Sequence, residues 1–168
     1  MFKTIQAEDL DQNIFKMIGK DWLLITAKKD DKVNTMTASW GSAGIMWGKP
    51  TAFVFIRPQR YTKEFIDASE EFSINVLGDA YRNILNYCGT VSGRDEDKIK
   101  NSNLTVDYKN DTPYFDESKI VLICRKVFAQ ELKEECFIDK SIIDKWYPQK
   151  DYHTMYAAEK VGSSHVVP

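Results

Sequence analysis

The order in which strand and helix signals follow one another most constrains what this chain can fold into. Read from the N-terminus, the pattern is β-β-β-α-β-α-β-β. It does not alternate strand with helix, so a doubly wound parallel sheet is excluded, and adjacent antiparallel strands with interposed helices are favoured. Trp22 to Ala27 reads as a strand, Lys28 to Lys32 as a charged hairpin turn, and Asn34 to Trp40 as the returning strand. In the latter, Met36, Ala38 and Trp40 alternate with Thr35, Thr37 and Ser39, which places the two sets on opposite faces. Gly41, Gly44 and Gly48 break the pattern, and Pro50 opens an almost wholly apolar strand, Thr51 to Ile56, ended by Arg57 and Pro58.

The remaining segments are shorter. Asp9 to Ile18 is expected to be a helix, with Leu10, Ile14, Met17 and Ile18 on one face. Tyr61 to Ala68 reads as a helix with Thr62 as N-cap and Phe65 and Ile66 inward. Glu71 to Leu77 is a strand, and Asp79 to Tyr87 a helix stopped near Gly89. Asp95 to Lys100 reads as a short charged helix or turn, and Asn101 to Phe115 as a polar loop. Lys119 to Gln130 is the longest strand, Cys136 to Asp139 a further strand, and Ser141 to Trp146 a helical turn. Ala157 to Pro168, with Gly162, Ser163 and Ser164, is a poor strand. No linker or repeat divides the 168 residues, so one domain over 1–168 is expected.

Charge and cysteine content narrow the function. With 23 basic and 25 acidic side chains the net charge is −2, which disfavours a dedicated nucleic-acid binder. No apolar run approaches the ~20 residues of a membrane span. Met1 to Asp11 has no signal-peptide h-region, so a cytoplasmic protein without membrane attachment is expected. Cys88, Cys124 and Cys136 form no CxxC pair, and with only His153 and His165 no metal site is expected.

Three polar segments can carry chemistry. Asn34 to Trp40 offers hydroxyls on one strand face running into a glycine-rich turn, which fits a phosphate or simple solvation. Arg57 and Arg60 flank a proline turn before a helix start, with Lys63 in its first turn. Cations there oppose the helix dipole, which makes sense if an anion is bound; a surface basic turn is the alternative. Cys88 to Lys98 is a glycine-punctuated loop that is neither a Walker loop nor a GxGxxG fingerprint. Ser92 and Arg94 there are placed to touch a phosphate, while Cys88 reads as a buried structural thiol rather than a nucleophile. The chain also holds 4 Trp, 8 Tyr and 9 Phe. Phe53, Phe55, Phe72 and Phe128 fit core strands, whereas Trp40, Tyr61, Trp146 and Tyr147 lie beside polar motifs, as rings lining a flat ligand would. The Trp146-Tyr147-Pro148 and Asp151–Tyr156 rings fit a ligand cover, a dimer contact or a core edge equally well.

Taken in order, Asn34-Thr-Met-Thr-Ala-Ser-Trp-Gly41, Trp47-Gly-Lys-Pro50, Ile56-Arg-Pro-Gln-Arg-Tyr-Thr62, Phe72-Ser-Ile-Asn-Val76, Cys88-Gly-Thr-Val-Ser-Gly-Arg-Asp95 and His153-Thr-Met-Tyr156 resemble the flavin reductase-like family, flavoredoxin type. The resemblance spans roughly residues 10 to 156. It implies a mainly β α+β fold, an antiparallel split β-barrel of the FMN-binding type with short peripheral helices. It further implies a homodimer holding FMN non-covalently near the interface. By position, Thr37, Ala38, Ser39 and Trp40 would lie along the flavin and its ribityl chain. Arg57, Arg60, Tyr61 and Thr62 would hold the phosphate end. Asn75, Cys88 and Gly89 would sit near the flavin, with Ser92, Arg94 and Lys98 in the loop above it. Trp146, Tyr147 and His153 would reach the site, with the partner subunit as one source. No catalytic acid–base pair is implied, because the redox chemistry belongs to the flavin. Three functions remain: a reductase fed by NAD(P)H, an electron carrier serving a redox partner protein, and a flavin-binding protein without turnover.

Overall fold

The computed structural model of the chain describes residues 3–160 and 164–166. Eleven strands and five short α-helices follow in the order β1 (Lys3–Ile5), α1 (Ile14–Lys16), β2 (Leu23–Lys29), β3 (Lys32–Ala38), β4 (Gly41–Met46), β5 (Lys49–Ile56), α2 (Tyr61–Ala68), β6 (Glu71–Val76), α3 (Arg82–Thr90), α4 (Lys98–Asn101), β7 (Val106–Lys109), β8 (Thr112–Phe115), β9 (Ile120–Glu131), α5 (Ser141–Trp146), β10 (Thr154–Lys160) and β11 (Ser164–Val166).

Nine strands form one sheet in the order β3-β2-β6-β9-β10-β5-β4, with β11 pairing β9 and β1; β7 and β8 form a separate hairpin. Every pairing among them is antiparallel. Met36 and Ala38, from one end of the path, share a core with Ala52, Val54 and Ile56 of β5, near its other end. Both ends therefore face one interior, and the sheet curls as the expected antiparallel β fold requires. Phe65 and Ile66 of α2 enter this core, which gives that helix its inward face. A second core under α3 gathers Leu24, Leu77, Leu85, Cys88 and Phe115.

Several sequence expectations are corrected. Asp9 to Ile18 is not one helix: a 3-10 turn, α1 and a wide π-type turn, Met17–Asp21, divide it. Met17 and Ile18 still reach the core. The glycine-rich segment after Trp40 is strand β4, whose residues are mostly exposed. It turns into β5 through Trp47 and Gly48, both at positive φ (52° and 70°), as a two-residue type I′ hairpin needs. Asn101 to Phe115 contains the β7–β8 hairpin, whose turn residues Asn110 and Asp111 are likewise at positive φ. Thr62 is not the N-cap of α2; that position is Arg60, and no side chain caps it. Helix α3 continues through Gly89. Cys136 to Asp139 is no strand, since Glu134–Cys136 makes a 3-10 turn. Ala157 to Lys160 belongs to strand β10, in which Ala157 to Glu159 pair with both β5 and β9 and the β9 register shifts at a bulge between Ala157 and Ala158. Residues 161–163 and 167–168 of that segment lie outside the described residues. Phe128 is not core: it is 40% exposed, with its ring 6.3 Å from that of Trp47.

Candidate functional site

The expected site residues divide between two clefts at opposite ends of β3. Asn34 lies at one end and Ser39 and Trp40 just past the other, five residues or roughly 16 Å of extended chain away.

The polar cleft, about 590 Å³, is lined by Asn34, Tyr61, Gly93, Arg94, Asp95 and Lys98, among others. Thr62 is buried, and its Oγ1 accepts a 2.9 Å hydrogen bond from Asn34 Nδ2, which ties α2 to β3. A Cβ on Gly93 would fall 2.1 Å from Asn34 Oδ1, so a larger residue there would have to displace the Asn34 side chain from its bond to Thr62. Ser92 Oγ accepts from the Arg94 amide at 3.1 Å. The Arg94 guanidinium sits 4.6 Å from the centre of the Tyr61 ring and donates to the Gln59 carbonyl and to Glu64.

Beside this cleft, two cations meet the end of α3. Lys98 is 4% exposed and donates to the Cys88 carbonyl at 3.1 Å. Arg60 donates to the Gly89 carbonyl at 2.7 Å and to the Cys88 carbonyl at 3.5 Å. Cations suit the carbonyl end of a helix. Among the described residues, however, no carboxylate forms an ion pair with either one. Burial, reinforced by the Arg60 charge, pulls the Lys98 ammonium down to about 8. Burial lowers Arg60 as well. A buried cation beside a half-buried one, with no counter-charge, is unfavourable alone and becomes favourable around an anion.

The second cleft, about 630 Å³, is lined by Ser39, Trp40, Phe55, Phe137, Trp146 and Tyr147, among others. Trp40 meets Trp146 edge to face at 5.0 Å and the His153 ring at 5.0 Å. The Tyr147 hydroxyl and His153 Nδ1 are 2.8 Å apart. Burial, with Arg57 nearby, pushes the His153 ring down to about 4, so it is neutral at pH 7. Arg57 belongs to this end. It pairs with Asp151, donates to the Trp146 carbonyl at 2.8 Å and lies 5.2 Å from the centre of the Tyr147 ring. Burial raises the Asp151 carboxyl, but hydrogen bonds from Gln59 and Arg57 outweigh it and hold it below its ordinary value.

The structure thus brings Arg60, Tyr61, Ser92, Arg94 and Lys98 together and separates Arg57 from them. The sequence spacing of Arg57 and Arg60 concealed this, because Pro58 and Gln59 turn their side chains to different neighbours. Thr37 lies between the clefts, its hydroxyl donating to the Leu85 carbonyl, with Gly89 packed against it. Ala38 is core. Asn75 is fully buried and presents nothing to either cleft. Its amide donates to Ser73, Thr26 and the Leu24 carbonyl, and its oxygen accepts from the Phe115 amide and Ser118. The Cys88 thiol is also fully buried, faces Ser102 at 3.8 Å and is raised by burial. Sequence reasoning missed Asn34 and Asp151, the first a polar residue on a core strand and the second one of many acids in a loop.

Residues 17–163 match the Flavin reductase like domain. The chain belongs to the flavin reductase-like family. No curated protein matches the sequence. Among solved structures, the FMN-binding domain of a flavin reductase-like enzyme from Shewanella baltica OS155 superposes with a TM-score of 0.70 at 19% identity, over 99% of this chain and 78% of that one. Flavoredoxin from Methanosarcina acetivorans gives 0.67 at 21%, over 98% and 76%. The Streptomyces globisporus C-1027 NADH:FAD oxidoreductase SgcE6, in complex with NAD and FAD fragments, gives 0.65 at 13%, over 88% and 75%. The flavin reductase-like fold therefore spans the whole described sheet. No helix among the described residues is long and apolar enough to cross a membrane.

Proposed function

We propose that this flavin reductase-like chain is a single-domain, cytoplasmic oxidoreductase that binds FMN non-covalently. The observation that carries this reading is Lys98, buried in the wall of the polar cleft, with the half-buried Arg60 at the same Cys88 carbonyl, two cations that no carboxylate among the described residues pairs. A terminal phosphate supplies the missing negative charge, and charge-assisted hydrogen bonds to it are the strong kind. Arg94, Ser92, Tyr61 and Thr62 frame that end. Thr37 and Gly89, packed against each other between the two clefts, would lie beside the ribityl chain. The flat ring reaches Ser39 and the aromatic cleft with Trp40, Trp146, Tyr147 and His153. Backbone groups at Ala38 and Ser39 meet its polar edge.

Bound FMN would supply the hydride and electron chemistry. The chain's own part is to hold and orient it. Lys98 and Arg60 anchor the phosphate, and Trp40, fixed by Trp146 and His153, sets the wall of the ring cleft. Neutral His153 adds no charge there. The exposed apolar side chains Ile45 of β4, Trp47 of the β4–β5 turn, and Val127 and Phe128 of β9, with the Trp47 and Phe128 rings 6.3 Å apart, support a homodimer in which a second copy covers them.

NAD(P)H is the proposed donor. The likeness to a flavoredoxin keeps the electron-carrier reading, with a redox partner protein as donor, as the second. The test is the visible spectrum of the protein loaded with FMN, followed anaerobically. Bleaching by NADH or NADPH supports the reductase. Bleaching only by a reduced protein donor supports the carrier. A protein that takes up no FMN overturns both.

A further inference from the structure

Likeness to both an FMN-binding domain and an NADH:FAD oxidoreductase leaves the choice between mononucleotide and dinucleotide to local residues rather than to the fold. The polar cleft is sharply graded in charge. Its wall includes the buried Lys98, which no carboxylate among the described residues pairs, and the half-buried Arg60 lies beside it at the same Cys88 carbonyl. Its rim carries three consecutive exposed acids, Asp95, Glu96 and Asp97, and Asp31 faces them from the β2–β3 turn. None of these four forms an ion pair among the described residues. Glu96 is held in place by the Tyr87 hydroxyl at 2.6 Å and Asn101 at 3.2 Å, and Asp97 Oδ1 by the Lys100 amide at 3.1 Å. The rim also carries the exposed Lys32 and Lys100, while Arg94 is paired with Glu64, so the four acids outnumber the two remaining rim cations.

We propose that this acidic rim selects a flavin ending in one phosphate over one carrying a diphosphate. The inference rests on the FMN reading above. A terminal phosphate offers all its free oxygens to Lys98 and Arg60 and ends there. In the dinucleotide the first phosphate is esterified onward and carries less charge. The second phosphoryl group and the adenosine must leave the cleft past Asp95, Glu96 and Asp97, where like charges repel. Asp95, Glu96 and Asp97 are thus specificity residues that need not touch FMN itself.

The experiment titrates FMN and FAD into the flavin-free protein and reads quenching of flavin fluorescence. It is run on the natural chain and on the triple variant Asp95→Asn, Glu96→Gln, Asp97→Asn, which keeps the Asp97 cap. The natural chain is expected to prefer FMN by about tenfold or more at low salt, as a few unit charges at rim distances supply. The variant is expected to lower that preference at least about threefold. A second measurement needs no variant: the preference should shrink between about 0.01 M and about 1 M salt, as the screening length falls from about 30 to about 3 Å. Equal affinity for FMN and FAD in the natural chain, or a preference indifferent to both salt and the variant, overturns the inference while leaving FMN binding intact. Failure of either flavin to bind overturns the FMN reading itself, and this inference with it.

Discussion

Lys98 and Arg60 donate to the same acceptor, the Cys88 carbonyl, at 3.1 and 3.5 Å. Two like charges gathered at one carbonyl, one buried and one half-buried and neither ion-paired with a carboxylate among the described residues, are stabilised partly by the end of helix α3. The remainder is a standing cost of the flavin-free protein. The first prediction follows from it. Lys98→Met removes the buried charge and keeps an apolar chain of similar length. It is expected to raise the Tm of the flavin-free protein by roughly 2–8 °C, about 1–2 kcal/mol. The same change should weaken FMN binding at least about tenfold, the worth of one charge-assisted contact. A thermal melt paired with a flavin titration reads both; a fall in Tm, or unchanged affinity, contradicts the account.

The second prediction concerns pH. Lys98 titrates at about 8 in the free protein, and a bound phosphate favours its charged form. FMN affinity is therefore expected to be flat from pH 7 to about 8 and to weaken above it. In the flavin-free protein the sign is opposite. Because the folded value lies below the ordinary 10.5, the unfolded chain binds more protons between about 8 and 10.5, so this group's penalty is relieved as pH rises through that window. Titrations and melts across pH 7 to 10 with Lys98→Met as reference isolate both trends.

Arg57 and Arg60, three residues apart, separate experimentally as they do structurally. Arg60→Ala is expected to weaken FMN while leaving riboflavin, which lacks the phosphate, nearly unchanged. Arg57→Ala breaks the pair with Asp151 and frees the Trp146 carbonyl, so it should loosen the aromatic cleft and weaken FMN and riboflavin by the same factor. Each substitution removes contacts worth about 1–3 kcal/mol. If Arg57→Ala affected FMN alone, the phosphate would have to lie at the other end of β3.

His153 gives a fourth prediction. Its folded value of about 4 lies below the ordinary 6.5, so the unfolded chain takes up the proton first. Stability contributed by the neutral ring is complete above about 6.5 and is lost as pH falls toward about 4. Chemical denaturation between pH 7 and 4 should show this loss, and His153→Gln should reduce it. Trp40, 5.0 Å away, should report the protonation through its fluorescence.

Much of the fold was legible because its signals are local. Alternation from Asn34 to Trp40 put Met36 and Ala38 on one face, and both are core, and the apolar run from Thr51 to Ile56 marked strand β5. The errors arose where tertiary pairing overrides local preference. Gly41 and Gly44 break a strand on propensity alone, yet β5 supplies the partner that makes β4. Ala157 to Lys160 looked weak beside Gly162 but is held by strands on both sides. The Asn110-Asp111 turn was readable in principle, because this pair favours positive φ. The site was legible in its motifs and less so in its geometry. Arg60, Arg94 and Lys98 converge, whereas Asn75 meets its hydrogen bonds inside the core and Arg57 faces the aromatic end. Such differences depend on which neighbour a side chain reaches, and spacing in sequence does not carry that.

The central claim is that the chain holds a flavin by its phosphate at Lys98 and Arg60. The most direct measurement is a parallel titration of the flavin-free protein with FMN and with riboflavin, read by flavin fluorescence. The account expects FMN to bind at least about tenfold more tightly, with the advantage abolished in the Lys98→Met, Arg60→Ala double variant. Equal binding of the two flavins by the natural chain, or an FMN advantage that survives the double variant, would contradict it.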